Sequence, residues 1–278
     1  LLPVVGIVLG FLVLGETVPQ ALHRELSEEV GIVLQEARPL IRIAYAYPER
    51  HVVLDVWRGD RFEGVPWGRE GQPVRWAYPA DLDPMEFPAA NAPIINAVRL
   101  PALYAVSGGP QGDPAAFLSR LDAVLAAGVT LVQLRAKGLA EGEYLALAVQ
   151  ALARCRRAGA RLLLNAPAEW VERVGADGVH LTAARLMACT ARPLPSERWV
   201  AASCHSLDEV AHARRIGADF IVAGPVQATA SHPGAPLLGW DGLAAVTAAA
   251  ALPVYALGGL SPEDLPEAWR HGAQGIAA

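Results

Sequence analysis

The chain is poor in cysteine and in charge and has no long apolar run, and each scarcity closes off a class of protein. Its 278 residues hold only three cysteines, Cys155, Cys189 and Cys204, widely spaced and without a CxxC pair. Neither a disulfide framework nor a zinc site is therefore indicated, and a reducing, cytoplasmic setting fits. Charged residues make up 18% and the net charge is −5. That balance argues against a nucleic-acid or membrane binder and toward a small partner, while leaving open a nucleotide held through a metal. The opening segment Leu1 to Leu14 is apolar and uncharged, yet too short to span a bilayer and without the basic flank or small-residue cleavage site of a signal peptide. The chain starts at Leu1 rather than Met, so a fragment is expected.

What the chain does have is a concentrated acidic stretch, GFLVLGETVPQALHRELSEEVGI, from Gly10 to Ile32. Its spacing predicts a helix from about Val18 to Val30, opened by Gly15-Glu16-Thr17 and closed by Gly31 as a C-terminal glycine. Glu25, Glu28 and Glu29 then stand at i, i+3 and i+4 and project from one face. Clustered carboxylates repel one another, and oxygen-rich groups of this kind suit a hard cation such as Mg²⁺ or Mn²⁺. The plain alternative is a solvated acidic face.

Gly10, Glu16, Arg24, Glu25, Leu26, Glu28, Glu29, Gly31 and Ile32 fill the defined positions of the Nudix box, so this stretch resembles the Nudix family. YPERHVVL, GVPWGREGQPVRW and EFPAANAPII extend the resemblance to its MutT branch. The resemblance implies an α+β Nudix fold over residues 1–100 and Mg²⁺-dependent hydrolysis of 8-oxo-dGTP and related nucleoside triphosphates to monophosphate and pyrophosphate. It places metal ligands at Glu25, Glu28 and Glu29, a further metal ligand or base at Glu70, a carboxylate-orienting residue at Arg24, and a purine-binding residue at Asn91. By residue type alone, Glu70 reads as a loop-surface charge and Asn91 as a helix cap. Clustered Mg²⁺ would neutralise polyphosphate charge and help deprotonate water.

One segment departs from the branch. Where its members carry a strand and then an aromatic-Pro-Gly-Gly-Lys segment, this chain has IVLGFLVLGE from Ile7 to Glu16. The preceding strand is expected to be missing, the fold N-terminally truncated, and the gene model truncated or frame-shifted before Gly15. Beyond the box, alternation predicts strands around Arg42–Tyr47, His51–Trp57 and Val74–Tyr78, a turn-rich stretch from Gly59 to Pro73, and a short helix from Pro93 to Leu100.

From residue 101 the texture changes. LYAVS, TLVQLR, RLLLN, DGVHL, WVAAS, DFIVAG, PVYALGG and QGIAA read as eight strands separated by helical segments such as Pro114–Ala127 and Leu207–Gly217. That alternation predicts an α/β (β/α)8 TIM barrel over residues 101–278, with functional residues at the strand C-termini. Those ends carry Gln133, Arg135, Lys137, Asn165, His180, Ser203, His205, Gly224, Thr229, Ser231, Gly258 and Gly259. Arg135 and Lys137 with the Gly258-Gly259 pair form a candidate phosphate cradle, unless the two cations are ordinary surface charges.

VQLRAK, GADGVHL, SCHS, GADFIVAGPVQAT and YALGGL make this half similar to the thiamine-phosphate synthase and TenI superfamily. In the synthase, Gln133, Arg135 and Lys137 would hold a pyrimidine diphosphate beside two Mg²⁺-binding aspartates, but Ala166 and Arg185 occupy those two positions. TenI-like thiazole tautomerases lack that metal demand and use a histidine that falls on His205, suited to proton shuttling; otherwise His205 simply precedes a helix cap. The resemblance implies a thiazole or pyrimidine phosphate ligand, with Asn165, Thr229, Gly258 and Gly259 among the binding residues. It also implies a barrel that is C-terminally truncated in its last strand.

Overall fold

A computed structural model describes residues 4–6, 15–46, 51–82, 87–88, 91–110, 112–229, 234 and 236–278. Gly10 and Ser231 lie outside them. The chain divides into two compact units, Leu1–Arg99 and Leu100–Ala278.

In the first unit, α1 (Val18–Glu25) begins where Thr17 takes an extended conformation and its N–H donates to Gln20 Oε1 at 2.9 Å. This is half of a reciprocal cap that satisfies donors with no intrahelical partner. The helix widens into a single π-type turn, Leu26–Val30, and stops at Gly31, whose φ of 75° is left-handed. Leu22, Leu26, Ile32 and Leu34 form the small core beneath it, against Trp57 and Phe62.

The sheet has the order β1 (Val4–Gly6), β3 (His51–Glu63), β2 (Val33–Ala46), all antiparallel. Register shifts around Pro39–Ile41 place Leu40 and Ile41 both inside the core, as a bulge does when it inserts a residue out of alternation. α2 (Ala92–Arg99) buries Ile94, Ile95 and Ala97.

Three expectations change here. A strand does precede the box, since Val4–Gly6 pairs with β3. β3 runs on through Gly59 to Glu63, into the stretch expected to be turns, because it has β2 to pair with along that length. Val74–Tyr78 is not a strand: it has no ladder, and Val74, Trp76 and Tyr78 are exposed. Alternation supplies a face for burial but not a neighbouring strand to bond to.

In the second unit, eight parallel strands close into a barrel: β4 (Leu103–Val106), β5 (Leu131–Leu134), β6 (Arg161–Leu164), β7 (Gly178–Leu181), β8 (Trp199–Cys204), β9 (Phe220–Ala223), β10 (Val254–Leu257) and β11 (Gly275–Ala277). Intervening helices include α3 (Pro114–Ala126), α4 (Glu141–Arg157), α5 (Glu169–Val174), α6 (Ala183–Ala188), α7 (Leu207–Arg215), α8 (Gly239–Ala250) and α9 (Leu265–Arg270). Most of the strands, β5, β7 and β9 throughout, are buried on both faces, which is why they read as continuous apolar runs. Side chains still alternate. Val132, Leu134, Val179 and Leu181 point out toward the helices, and Leu131, Leu163, Ala201 and Phe220 point in.

The floor of the barrel interior is aromatic. Tyr104, Phe220 and Tyr255 meet with ring centroids 5.4–5.6 Å apart, two of the three contacts involving Phe220 edge-on. The next inward positions, toward the strand C-termini, are Gln133, Asn165, His180 and Ser203, so the barrel turns polar at its mouth.

Candidate functional sites

In the first unit, the carboxylates are organised by one guanidinium. Arg24 holds Glu16 through two parallel contacts, Nε to Oε1 and Nη2 to Oε2, each 3.0 Å. It also meets Glu25 at 2.6 Å and Glu28 at 3.2 Å. These acidic partners hold its pKa further above the ordinary arginine value.

The carboxylates straddle the junction between α1 and the π-type turn. Across this turn Glu25 and Glu28 meet the same Arg24 nitrogen, Nη1, while Glu29 stands against Glu25. Glu28 is the exposed member, its side chain 61% accessible against 14% for Glu25. The three carboxylates thus stay clustered, Glu28 at the solvent side and Glu25 and Glu29 further in. Glu29 carries the consequence. Burial raises its carboxyl above the ordinary carboxylate value, and hydrogen bonding to Glu25 with repulsion from Glu25, Glu70 and Glu28 raises it further.

Glu70 reaches this group because its loop caps the helix. The last carbonyls of a helix lack intrahelical donors. Here Trp67 N–H donates to Val30 O, Arg69 N–H to Glu29 O, Gln72 Nε2 to Glu29 O, and Arg69 Nη1 to Ser27 O, all at 2.9–3.0 Å. The loop lies so close that a Cβ on Gly31 would stand 3.0 Å from Trp67 Nε1. Glu70 itself is exposed. Asn91 is buried at the start of α2, its main-chain N–H donating to Pro88 O at 2.8 Å. Among the described residues no hydrogen bond joins it to the carboxylates.

Among the described residues, no group of three or more histidine, cysteine or carboxylate side chains is already disposed to hold a metal ion; Arg24 draws Glu16, Glu25 and Glu28 to itself instead. The chemistry of the donor set nonetheless fits a hard divalent cation. Glu29 is held by burial and by neighbouring carboxylates in a state that a cation would relieve.

At the barrel mouth, Gln133 and His180 are buried and Asn165 and Ser203 are partly so. They form one hydrogen-bonded row with Tyr104. Asn165 Nδ2 donates to Gln133 Oε1 at 3.1 Å, and Gln133 Nε2 to Tyr104 Oη at 3.3 Å. His180 then meets Tyr104 Oη through Nδ1 at 3.1 Å and Ser203 Oγ through Nε2 at 2.8 Å. Burial, reinforced by the Arg135 cation, pushes the His180 pKa down to about 3. Arg135 is half-buried and its main-chain N–H donates to Ser107 Oγ at 2.9 Å, while Lys137 is exposed on the following loop.

His205 stands exposed just past β8. Its Nδ1 lies 3.0 Å from Gly224 O. A carbonyl only accepts, so Nδ1 carries the proton and Nε2 is left as a base when the ring is neutral. The bond also fixes the ring, which is more than a residue that merely precedes the Ser206 cap requires.

Gly258 and Gly259 have φ of 101° and 68°. A Cβ would fall 2.6 Å from Pro225 Cβ at the first and 2.5 Å from Ala228 O at the second. Val226 N–H and Gln227 N–H donate to Leu257 O and Gly258 O, so this glycine pair clamps the loop after β9 and brings half-buried Thr229 alongside. Close packing alone accounts for both glycines. Arg185 follows the Thr182 cap of α6, and its charge acts on the buried Tyr144 hydroxyl, which donates to Leu134 O at 2.9 Å.

Tyr104, His180 and Ser203 are central to the mouth; His180 and Ser203 were marked by their places at strand C-termini, while Tyr104 was not singled out. Tyr104 reads as one more aromatic in an apolar strand; only its inward parity, shared with Gln133 and His180, could have marked it.

The thiamine monophosphate synthase family profile matches residues 103–278, and the NUDIX domain profile matches residues 4–98. A thiamine-phosphate synthase of Chloroflexus aurantiacus is 32% identical over 176 residues, covering 63% of this chain and 82% of that protein. The 8-oxo-dGTP diphosphatase of Escherichia coli is 45% identical over 90 residues, covering 32% of this chain and 70% of that protein. Among solved structures, thiamine phosphate pyrophosphorylase from Pyrococcus furiosus aligns with a TM-score of 0.53 at 23% identity, over 69% of this chain and 87% of that one, a likeness of fold. The chain thus belongs to two enzyme families in succession, a Nudix hydrolase domain followed by a barrel of the thiamine monophosphate synthase and TenI family.

Proposed function

We propose that the first unit hydrolyses 8-oxo-dGTP and related nucleoside triphosphates to the monophosphate and pyrophosphate, in the manner named for its Escherichia coli relative. The observation that carries this reading is the docking of the Trp67–Gln72 loop on the helix end, which sets Glu70 within electrostatic reach of Glu29. Glu25, Glu29 and Glu70, with Glu28 at the rim, would hold Mg²⁺ or Mn²⁺. Such a cation neutralises polyphosphate charge and makes water more acidic. Arg24 keeps Glu25 and Glu28 oriented while Glu16 anchors the guanidinium. Glu29, with its raised pKa, takes up a proton more readily than an ordinary carboxylate. Asn91 can both donate and accept on a purine edge. Pyrophosphate release from 8-oxo-dGTP, measured with and without Mg²⁺, tests the reading. Glu29→Gln is expected to lose activity by about 100-fold or more, as general base catalysis typically contributes; equal rates for wild type and variant reject it.

For the barrel, a phosphate ester of a thiazole or pyrimidine fits the cations Arg135 and Lys137 beside Gln133, Asn165, Thr229 and the glycine clamp. The tautomerase reading is favoured over the synthase reading by the placement of His205, whose bare Nε2 can move a proton, and by Ala166 and Arg185, neither of which can serve as a carboxylate ligand. Tautomerisation of a thiazole carboxylate phosphate should then vanish in His205→Ala. An unchanged rate would remove His205 from the reaction, and condensation of a pyrimidine diphosphate with a thiazole phosphate by the wild type, with release of pyrophosphate, would restore the synthase reading.

A further inference from the structure

Hydrogen-bond polarity in the barrel mouth leaves a choice of only two states. Five side chains from five strands or strand ends, Asn165, Gln133, Tyr104, His180 and Ser203, are joined in one row. Tyr104, Gln133 and His180 are 0%, 3% and 1% exposed, so each must satisfy its polar atoms within the row. A tyrosine hydroxyl has one proton, and a neutral imidazole has one donor and one acceptor. Gln133 Nε2 can only donate, so when it meets Tyr104 Oη the tyrosine proton goes to His180 Nδ1. His180 must then carry its own proton on Nε2 and give it to Ser203 Oγ. Ser203, already accepting, turns its hydroxyl proton outward. Reversing the Gln133 amide reverses every bond and leaves Ser203 donating back to His180, with only lone pairs to offer.

The geometry points to Tyr104 and His180 as positioning residues that fix Ser203 as a hydroxyl donor toward a phosphate oxygen of the barrel's ligand. Neither residue touches the ligand; both act through Ser203. The inference rests on the phosphate-ester reading of the barrel. The surroundings of the row agree with it, since burial first and the Arg135 cation second disfavour a second proton on the His180 ring. A fixed donor is worth most where the acceptor is charged, because such hydrogen bonds are the strong ones.

Two measurements on the full chain test it. Nitrogen-15 spectra of the His180 ring report which nitrogen holds the proton; the relay requires Nε2, and a proton on Nδ1 overturns it. Binding of inorganic phosphate to wild type, Tyr104→Phe, Ser203→Ala and the double variant then gives a thermodynamic cycle. Tyr104→Phe removes only an oxygen and should weaken phosphate binding about tenfold in the wild-type background. It should have no further effect once Ser203 is alanine. Equal losses in both backgrounds would show that Tyr104 acts by structure alone and would overturn the proposal. Absence of phosphate binding in the wild type, with the proton on Nε2, would reject the ligand reading and uphold the relay.

Discussion

Burial of a single neutral histidine gives the barrel a pH dependence of known sign. His180 has a folded-state pKa near 3, well below the ordinary 6.5. Above pH 6.5 the ring is neutral in both folded and unfolded chains, so its contribution to stability is fully present. As pH falls from 6.5 toward 3 the unfolded chain takes up a proton that the folded chain refuses, and stability drops by about 1.4 kcal/mol per pH unit for that one proton. Chemical denaturation between pH 7 and 5 should show this slope, and His180→Gln should flatten it by one proton. At Arg24, four carboxylate contacts converge on a guanidinium that is still partly solvated. Arg24→Lys keeps the charge but loses the fork, so hydrolysis should fall while far-ultraviolet circular dichroism stays unchanged.

Elements show where glycine is obligatory and where it is merely convenient. Gly31 and Gly258 combine a left-handed backbone with a crowded Cβ position, at 3.0 Å from Trp67 Nε1 and 2.6 Å from Pro225 Cβ respectively. Gly217 has a similar φ, 74°, but nothing within 4 Å. Alanine at Gly258 should therefore cost clearly more than the roughly 1 kcal/mol expected of backbone strain alone at Gly217, and alanine at Gly31, where the neighbours are side chains that can move, at least that much, as urea midpoints would show. At the start of α3, the Asp113 carboxylate accepts from Ala116 N–H at 2.9 Å ahead of Pro114, and Asp113→Ala should cost about 1 kcal/mol.

The same elements show what could be read in advance. Thr17, Gly31 and Ser206 announced helix ends because capping chemistry is local. The π-type turn at Leu26–Val30 was not legible, and the loop that caps it lies far off in the chain, 42 residues on at Arg69–Ser27 and 43 at Gln72–Glu29. Val74–Tyr78 failed as a strand for the converse reason: its alternation is real, but pairing is a property of two segments.

For the whole molecule, periodicity was enough to find all eight barrel strands, since a parallel barrel buries most of them on both faces. Inward and outward parity then places Gln133, Asn165, His180 and Ser203 at one level without further information, whereas the hydrogen-bond order among them depends on three-dimensional closure. Among the described residues no helix is long and apolar enough to cross a membrane. Each unit has its own apolar core, Leu22–Leu34 in one and the barrel layers in the other. Calorimetry should accordingly resolve two transitions, with Gly31→Ala lowering one and Gly258→Ala the other; a single transition shifted by both variants would contradict this.

The claim that Glu29 and the docked Glu70 loop act as one cation-binding group is tested most directly by titrating the chain with Mn²⁺ and following the free-ion electron paramagnetic resonance signal. Glu29→Gln and Glu70→Gln should each weaken binding by about tenfold or more, and Glu36→Gln, whose carboxylate instead pairs with Arg61 at 2.9 Å, should leave it unchanged. Equal Mn²⁺ affinity in the wild type and all three variants would contradict the account.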